Sequence, residues 1–139
     1  MTVLEEFATL LHELGLGEYR PAGGGTIFLA AAPDAPDAVL ALTRAAGAQA
    51  DPKLPYDEPV LQVRVRGSAH DPVGPEAAAQ AVYDALHGLG NRAMPGGTWL
   101  VLGVGTDGGP VYAGRDDNAR DLWDVKFRME LHRPVGNRQ

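Results

Sequence analysis

The sequence predicts an α+β fold: an antiparallel or mixed β-sheet with two main helices packed on one face. Three observations carry this. In the stretch Asp121–His132, the odd positions Trp123, Val125, Phe127, Met129 and Leu131 are apolar, while Asp124, Lys126, Arg128, Glu130 and His132 are polar or ionisable. Side chains alternate faces along a strand, so this register gives one dry face and one wet face. Two other stretches repeat at helical spacing instead, and the chain alternates helix, strands, helix, strands without a linker or an internal repeat. Strands buried on both faces of a parallel sheet lose such alternation, which favours antiparallel neighbours for the long strand.

In chain order, Thr2 and Glu5 form a capping box, in which hydroxyl and carboxylate satisfy orphan amides at a helix start. Val3, Phe7, Leu10, Leu11 and Leu14 follow on one helical face. Gly15 is placed to end this helix in a left-handed cap, with Gly17 close behind. Tyr19–Gly25 is a turn-rich connector and Thr26–Ala30 a short buried strand. Pro33 and Pro36 punctuate the chain before Ala38–Thr43, which reads as strand or helix. Strand is favoured, because Pro36 and Gly47 leave little room for a helix. Gly47–Pro59 is a long irregular loop with three prolines, a length usually reserved for function or interaction. Val60–Arg66 alternates again, with Leu61, Val63 and Val65 on one face and Gln62, Arg64 and Arg66 on the other, and Gly67 is expected to end it. Pro75 suits a first helical position. Ala78, Ala81, Val82, Ala85, Leu86 and Leu89 form the expected buried stripe of this second helix, which Gly88 and Gly90 stop. Trp99–Val104 is a continuous apolar strand, and Val111–Ala113 begins another across a glycine-rich turn.

The 139 residues are most economically one domain. A net charge of −6 argues against a binder relying on a general phosphate field, and the absence of cysteine excludes disulfides, thiolate metal sites and cysteine nucleophiles. Met1–Leu16 carries Glu5, Glu6 and Glu13 with no early cation, unlike a secretory signal. No apolar run reaches the roughly 20 residues of a membrane-spanning helix. The expected product is soluble, made in the cytoplasm and not membrane-bound.

Three patterns resemble chemical motifs. Gly103-Val-Gly105-Thr-Asp-Gly108 has dinucleotide-turn spacing, but Gly109-Pro110 follows where the fingerprint needs a helix, so a hairpin turn is expected. Ser68-Ala-His70-Asp71 holds triad residue types, yet neighbours on one loop seldom converge and no nucleophile elbow surrounds the serine. Capping and turn hydrogen bonds account for Ser68 and Asp71. Asp116, Asp117, Asp121 and Asp124 have no recognised cation-loop spacing, and Arg115 and Arg120 bracket them, so local ion pairs are expected. His12, His70, His87 and His132 show no ligand spacing and read as surface or boundary residues. No catalytic, cofactor or metal residues emerge. The long Pro-rich loop, the charged faces of two strands and the Arg-Asp-Asp loop suit a protein that docks against other proteins.

Asp51-Pro-Lys-Leu-Pro-Tyr-Asp57, Pro59 and Gln62-Val-Arg-Val-Arg-Gly67 resemble a segment of phage minor capsid proteins related to tail terminators. Tyr83-Asp-Ala-Leu-His87, Tyr112-Ala-Gly114-Arg-Asp116, Asn118 and Arg120 continue the resemblance, as do Gly15-Leu-Gly17 and Ile27-Phe-Leu29. Ala30-Ala-Ala32 departs from it. The resemblance implies a tail-terminator-like sheet with helices against it and a structural role in long-tailed phages. It implies a hexameric ring that caps the tail tube and meets the head connector, in the virion at the tail–head junction. The implied partners are further copies of the chain, the tail-tube protein and the connector or head-completion proteins, with no sequence-specific nucleic acid. The family has no catalytic residues to carry over. By this analogy the loops at Asp51–Pro59 and Gly114–Arg120 are candidate contacts, contributing Lys53, Tyr56, Asp57, Arg115, Asp116, Asp117 and Arg120. The charged strand faces add Arg64, Arg66, Lys126 and Arg128. An edge strand bearing Asp124, Lys126, Arg128 and Glu130 would fix register against a neighbour by complementary charge. The rivals are a head-completion protein on the connector side and, in another class, a small enzyme or ligand-binding domain. The last would need polar groups converging between helices and sheet, where the expected inward residues are almost all apolar.

Overall fold

The computed structural model describes Met1–Gln139. Its longest strand is β8 (Arg120–His132), and the sheet is assembled around it. The other elements are α1 (Val3–Glu13), β1 (Ile27–Leu29), β2 (Val39–Ala45), β3 (Tyr56–Asp57), β4 (Val60–Ala69), α2 (Gly74–Leu86), β5 (Gly90–Ala93), β6 (Trp99–Gly105) and β7 (Val111–Arg115), with a 3-10 turn at Gly136–Arg138. The eight strands form one sheet of order β1-β2-β4-β8-β6-β5, with β3 and β7 also paired to β8. The β1–β2 pair is parallel and the other named strand pairs are antiparallel, so the sheet is mixed.

The expected capping box is present: Thr2 Oγ1 accepts from the Glu5 N–H, and Glu5 Oε1 accepts from the Thr2 N–H. Gly15, at φ 78°, follows the α1 C-cap. Val3, Phe7, Leu10 and Leu11 are buried, as their spacing requires. Along β8, Val125, Phe127, Met129 and Leu131 are fully buried. They share their face with Leu61, Val63 and Val65 of β4 and Leu40 and Leu42 of β2, and both helices cover that face. The opposite face carries Gln62, Arg64, Lys126 and Arg128, and no helix covers it.

The structure corrects several expectations. The long strand is central rather than an edge, since β4 lies on one side and β6 and β7 line the other. Asp124, Lys126, Arg128 and Glu130 can therefore meet a neighbour only through the face of the sheet. The Gly103–Gly108 segment is no hairpin: β6 and β7 do not pair with each other but follow in line along the same side of β8. Its glycines have a packing reason. A Cβ at Gly105 would collide with the Tyr83 ring, and one at Gly103 would meet the Leu86 carbonyl oxygen at 2.5 Å, so both admit α2 against the sheet. The true hairpin joins β7 to β8 through Asp116–Ala119.

Strand β4 does not stop at Gly67 but continues through a bulge to Ala69. Gly67 is flat because Pro75 lies against it: a Cβ there would fall 2.6 Å from the proline ring. That contact sets the rotation of α2, whose buried residues are Pro75, Ala79, Val82 and Leu86, while Ala78 and Ala81 face outward. The long loop is interrupted by β3, which pairs with the end of β8, and Gly90 begins a strand as well as ending a helix connection. Ser68 contributes only its backbone to the turn before α2, whereas Asp71 Oδ1 accepts from the Val73 and Gly74 amides.

Candidate assembly surfaces

Arg120 is the residue where sequence and structure part most. It opens β8 at 4% exposure. Its Nε donates to Asp116 Oδ2 at 2.8 Å, Nη2 to Asp34 Oδ1 at 2.8 Å, and Nη1 to the Asp34 carbonyl at 2.6 Å and to Asp37 Oδ1 at 3.2 Å. Arg66 performs a parallel task, donating to the carbonyls of Pro33, Pro36 and Asp37. A guanidinium presents several donors in a fixed plane, and two of them here fasten the whole Pro33–Asp37 loop. Arg66 and Arg120 therefore spend their donors inside the chain. The hydrogen bond from the Arg120 amide, then its side chain and the Asn118 amide, hold the Asp116 carboxyl below the usual range.

Around this hub the remaining hairpin residues divide. Asp121, at 5% exposure, accepts from Tyr112 Oη at 3.0 Å and Arg115 Nε at 3.1 Å. Asp117 is exposed. Ala119 is held at φ 59°, and its carbonyl accepts from His70 N, itself at φ 61°.

At the other end of β8, Asp57 takes two arginines: Arg133 Nη1 at 3.1 Å and Arg138 Nη1 and Nη2 at 2.7 and 3.0 Å. Arg138 above all holds the Asp57 carboxyl below its ordinary value. The Arg133 amide also donates to the Pro55 carbonyl, so the C-terminal residues fold back over the Pro-rich loop. Tyr56 Oη lies 2.7 Å from Glu58 Oε1 and 2.9 Å from Glu130 Oε1, and Arg128 donates to both carboxylates at 3.2 Å. Burial, then these two carboxylates, push the Tyr56 hydroxyl well above the usual tyrosine range. Mid-sheet, Arg64 makes a two-pronged pair with Asp124 at 2.8 and 2.9 Å. Lys126 on the same face and exposed Lys53 on the loop have no carboxylate partner within the chain.

The candidate residues thus fall into three places. Arg115, Asp116, Asp117, Arg120 and Arg66 gather at one end of the sheet. Lys53, Tyr56 and Asp57 lie at the other, and Arg64, Lys126 and Arg128 lie on the open face between. Missed from the sequence were Asp34, Asp37, Arg133 and Arg138; their partners lie 76 to 86 residues away, so no local pattern announced them.

As chemistry, these arrangements hold loops in place. Asp71 is committed to the turn before α2, His70 is held there by its backbone amide, and no group of three or more His, Asp or Glu is placed to hold a metal ion. A groove beside α2, about 160 Å³, is lined by Leu16, Leu40, Val65 and Ala78, and its one charged side chain, Arg66, is already bonded to carbonyls. No helix is long and apolar enough to cross a membrane. A family model described as bacteriophage tail terminator protein matches residues 10–133. No curated protein and no solved structure matches the chain.

Proposed function

The chain belongs to the bacteriophage tail terminator family, and from that premise we propose that it is a non-enzymatic virion protein that closes into a hexameric ring on the end of the tail tube. There it stops tube growth and presents a surface to the head connector at the tail–head junction. The observation that carries this reading is the family match, which spans nearly the whole chain rather than one segment.

The fold supports it in two ways. One face of the sheet is covered by helices and the other is open, giving each copy two unlike surfaces, as a head-to-tail ring contact requires. The strand-end loops are fastened by buried or doubly paired arginines, so they offer fixed shapes rather than floppy ones to a partner.

The test is light scattering over a wide concentration range, alone and with purified tail-tube protein. A discrete ring-sized multiple, alone or on the tube protein, is the expected result. A chain that stays monomeric and leaves the tube protein's elution unchanged overturns the proposal.

A further inference from the structure

The two layers of this molecule carry different charge. All 12 Lys and Arg lie on strands, in loops or in the C-terminal tail; neither α1 nor α2 contains one. The outward side of the helix layer instead exposes Glu13, Glu76 and Asp84. On the open sheet face Arg64 is paired with Asp124, Arg128 with Glu58 and Glu130, and Arg66 with loop carbonyls, which leaves Lys126 as the cation without a partner. Lys126 sits near its centre, opposite Gln62, with no carboxylate of its own chain.

Shape follows the same division. Along β6 and β7 the open face carries an apolar ridge of Leu102, Val104 and Val111, the last 48% exposed, and Trp99 stands at its end at 41%. The outer side of α2 exposes Ala77 and Ala81, small side chains that let another surface approach closely.

We propose that the ring contact is made between these unlike layers: the open sheet face of one copy receives the α2 side of the next. The inference rests on the ring reading above and names the surfaces that form it. The unpaired Lys126 of the open face and the exposed Glu76 and Asp84 of α2 lie on opposite sides of one chain and cannot satisfy each other internally. Between copies they attract, whereas helix-to-helix or sheet-to-sheet pairing would set like charges together. A contact between two different surfaces of identical chains repeats from copy to copy and closes when the rotation fits. Its apolar part supplies affinity, and its charges set orientation and a salt dependence.

The test uses two full-length variants, Glu76→Lys/Asp84→Lys on the helix side and Gln62→Glu/Lys126→Glu on the sheet side. All four positions are at least partly exposed, and thermal unfolding checks that each variant is folded. Each variant alone is expected to self-associate roughly tenfold more weakly by sedimentation. An equimolar mixture is expected to recover wild-type assembly, because every junction then pairs either two native surfaces or two reversed ones. Ring-sized wild-type and variant species of equal stability would overturn this contact while leaving the ring reading intact. So would loss in each variant without recovery on mixing. A wild-type chain monomeric at the highest concentration would overturn it too, and the tube-binding experiment would still judge the terminator reading separately.

Discussion

Ala119 pays a conformational penalty that the sequence conceals, since a non-glycine residue at φ 59° lies in the left-handed region. Replacing it with glycine, Ala119→Gly, is expected to stabilise the chain by about 1 kcal/mol, read from the urea midpoint. Next to it, Arg120→Met should do the reverse, removing the buried donors that hold the Asp34 carbonyl and the Asp116 carboxylate. Its midpoint should fall clearly below that of Arg64→Met, whose pair with Asp124 is half exposed and worth little. Charge reversal at Arg120 consequently reports on folding, as does reversal at Arg115 beside the buried Asp121, whereas the exposed and unpaired Lys53 is the loop cation whose reversal reports on docking. From the sequence, Arg120 read as one charge of a polar loop. Its burial depends on Asp34 and Asp37 arriving from 83 to 86 residues away, which no local pattern encodes.

Among the elements, what was legible was whatever has a period. The alternation in β8 and β4 and the capping box of α1 follow from local geometry, and the structure repeats them. What a period cannot give is rotation or lateral order. The α2 stripe turned because Pro75 rests on Gly67, and the apparent hairpin at Gly103–Gly108 became two strands in line along β8. Gly103→Ala, which sets a methyl against the Leu86 carbonyl, is expected to cost about 2 kcal/mol through overpacking, measured by denaturation. Glu6 makes the second test at this scale. It is 3% exposed on α1 and accepts from Gly96 N, Thr98 N and Thr98 Oγ1, tying the helix to the β5–β6 turn. Glu6→Ala leaves three donors without their partner and should cost about 2–3 kcal/mol, again from the urea midpoint.

For the whole molecule, stability should depend on acid through the strap that closes its C-terminal end. Asp57 has a folded-state carboxyl held below its unfolded value, chiefly by Arg138. Its contribution is therefore complete above the ordinary carboxylate range and lost as pH falls through the depressed value. Unfolding midpoints should be flat from about pH 8 to 5 and fall below about 4, and Asp57→Asn should lower the plateau and shallow that fall. The two-layer α+β architecture was readable because both helices and the long strand declare a single apolar side each. The candidate contact residues were readable only as types. Which of them face outward depends on partners distant in sequence, and Arg66 and Arg120 turned out to hold the Pro33–Asp37 loop.

A chain that ends a tail tube, as proposed, should be visible on one. Electron microscopy of tubes polymerised from tail-tube protein, with and without the chain, tests it most directly. Ring-shaped density is expected at one end of each tube, with no further lengthening when fresh tube protein is added. Tubes that bear no density at either end and keep growing at the same rate would contradict it.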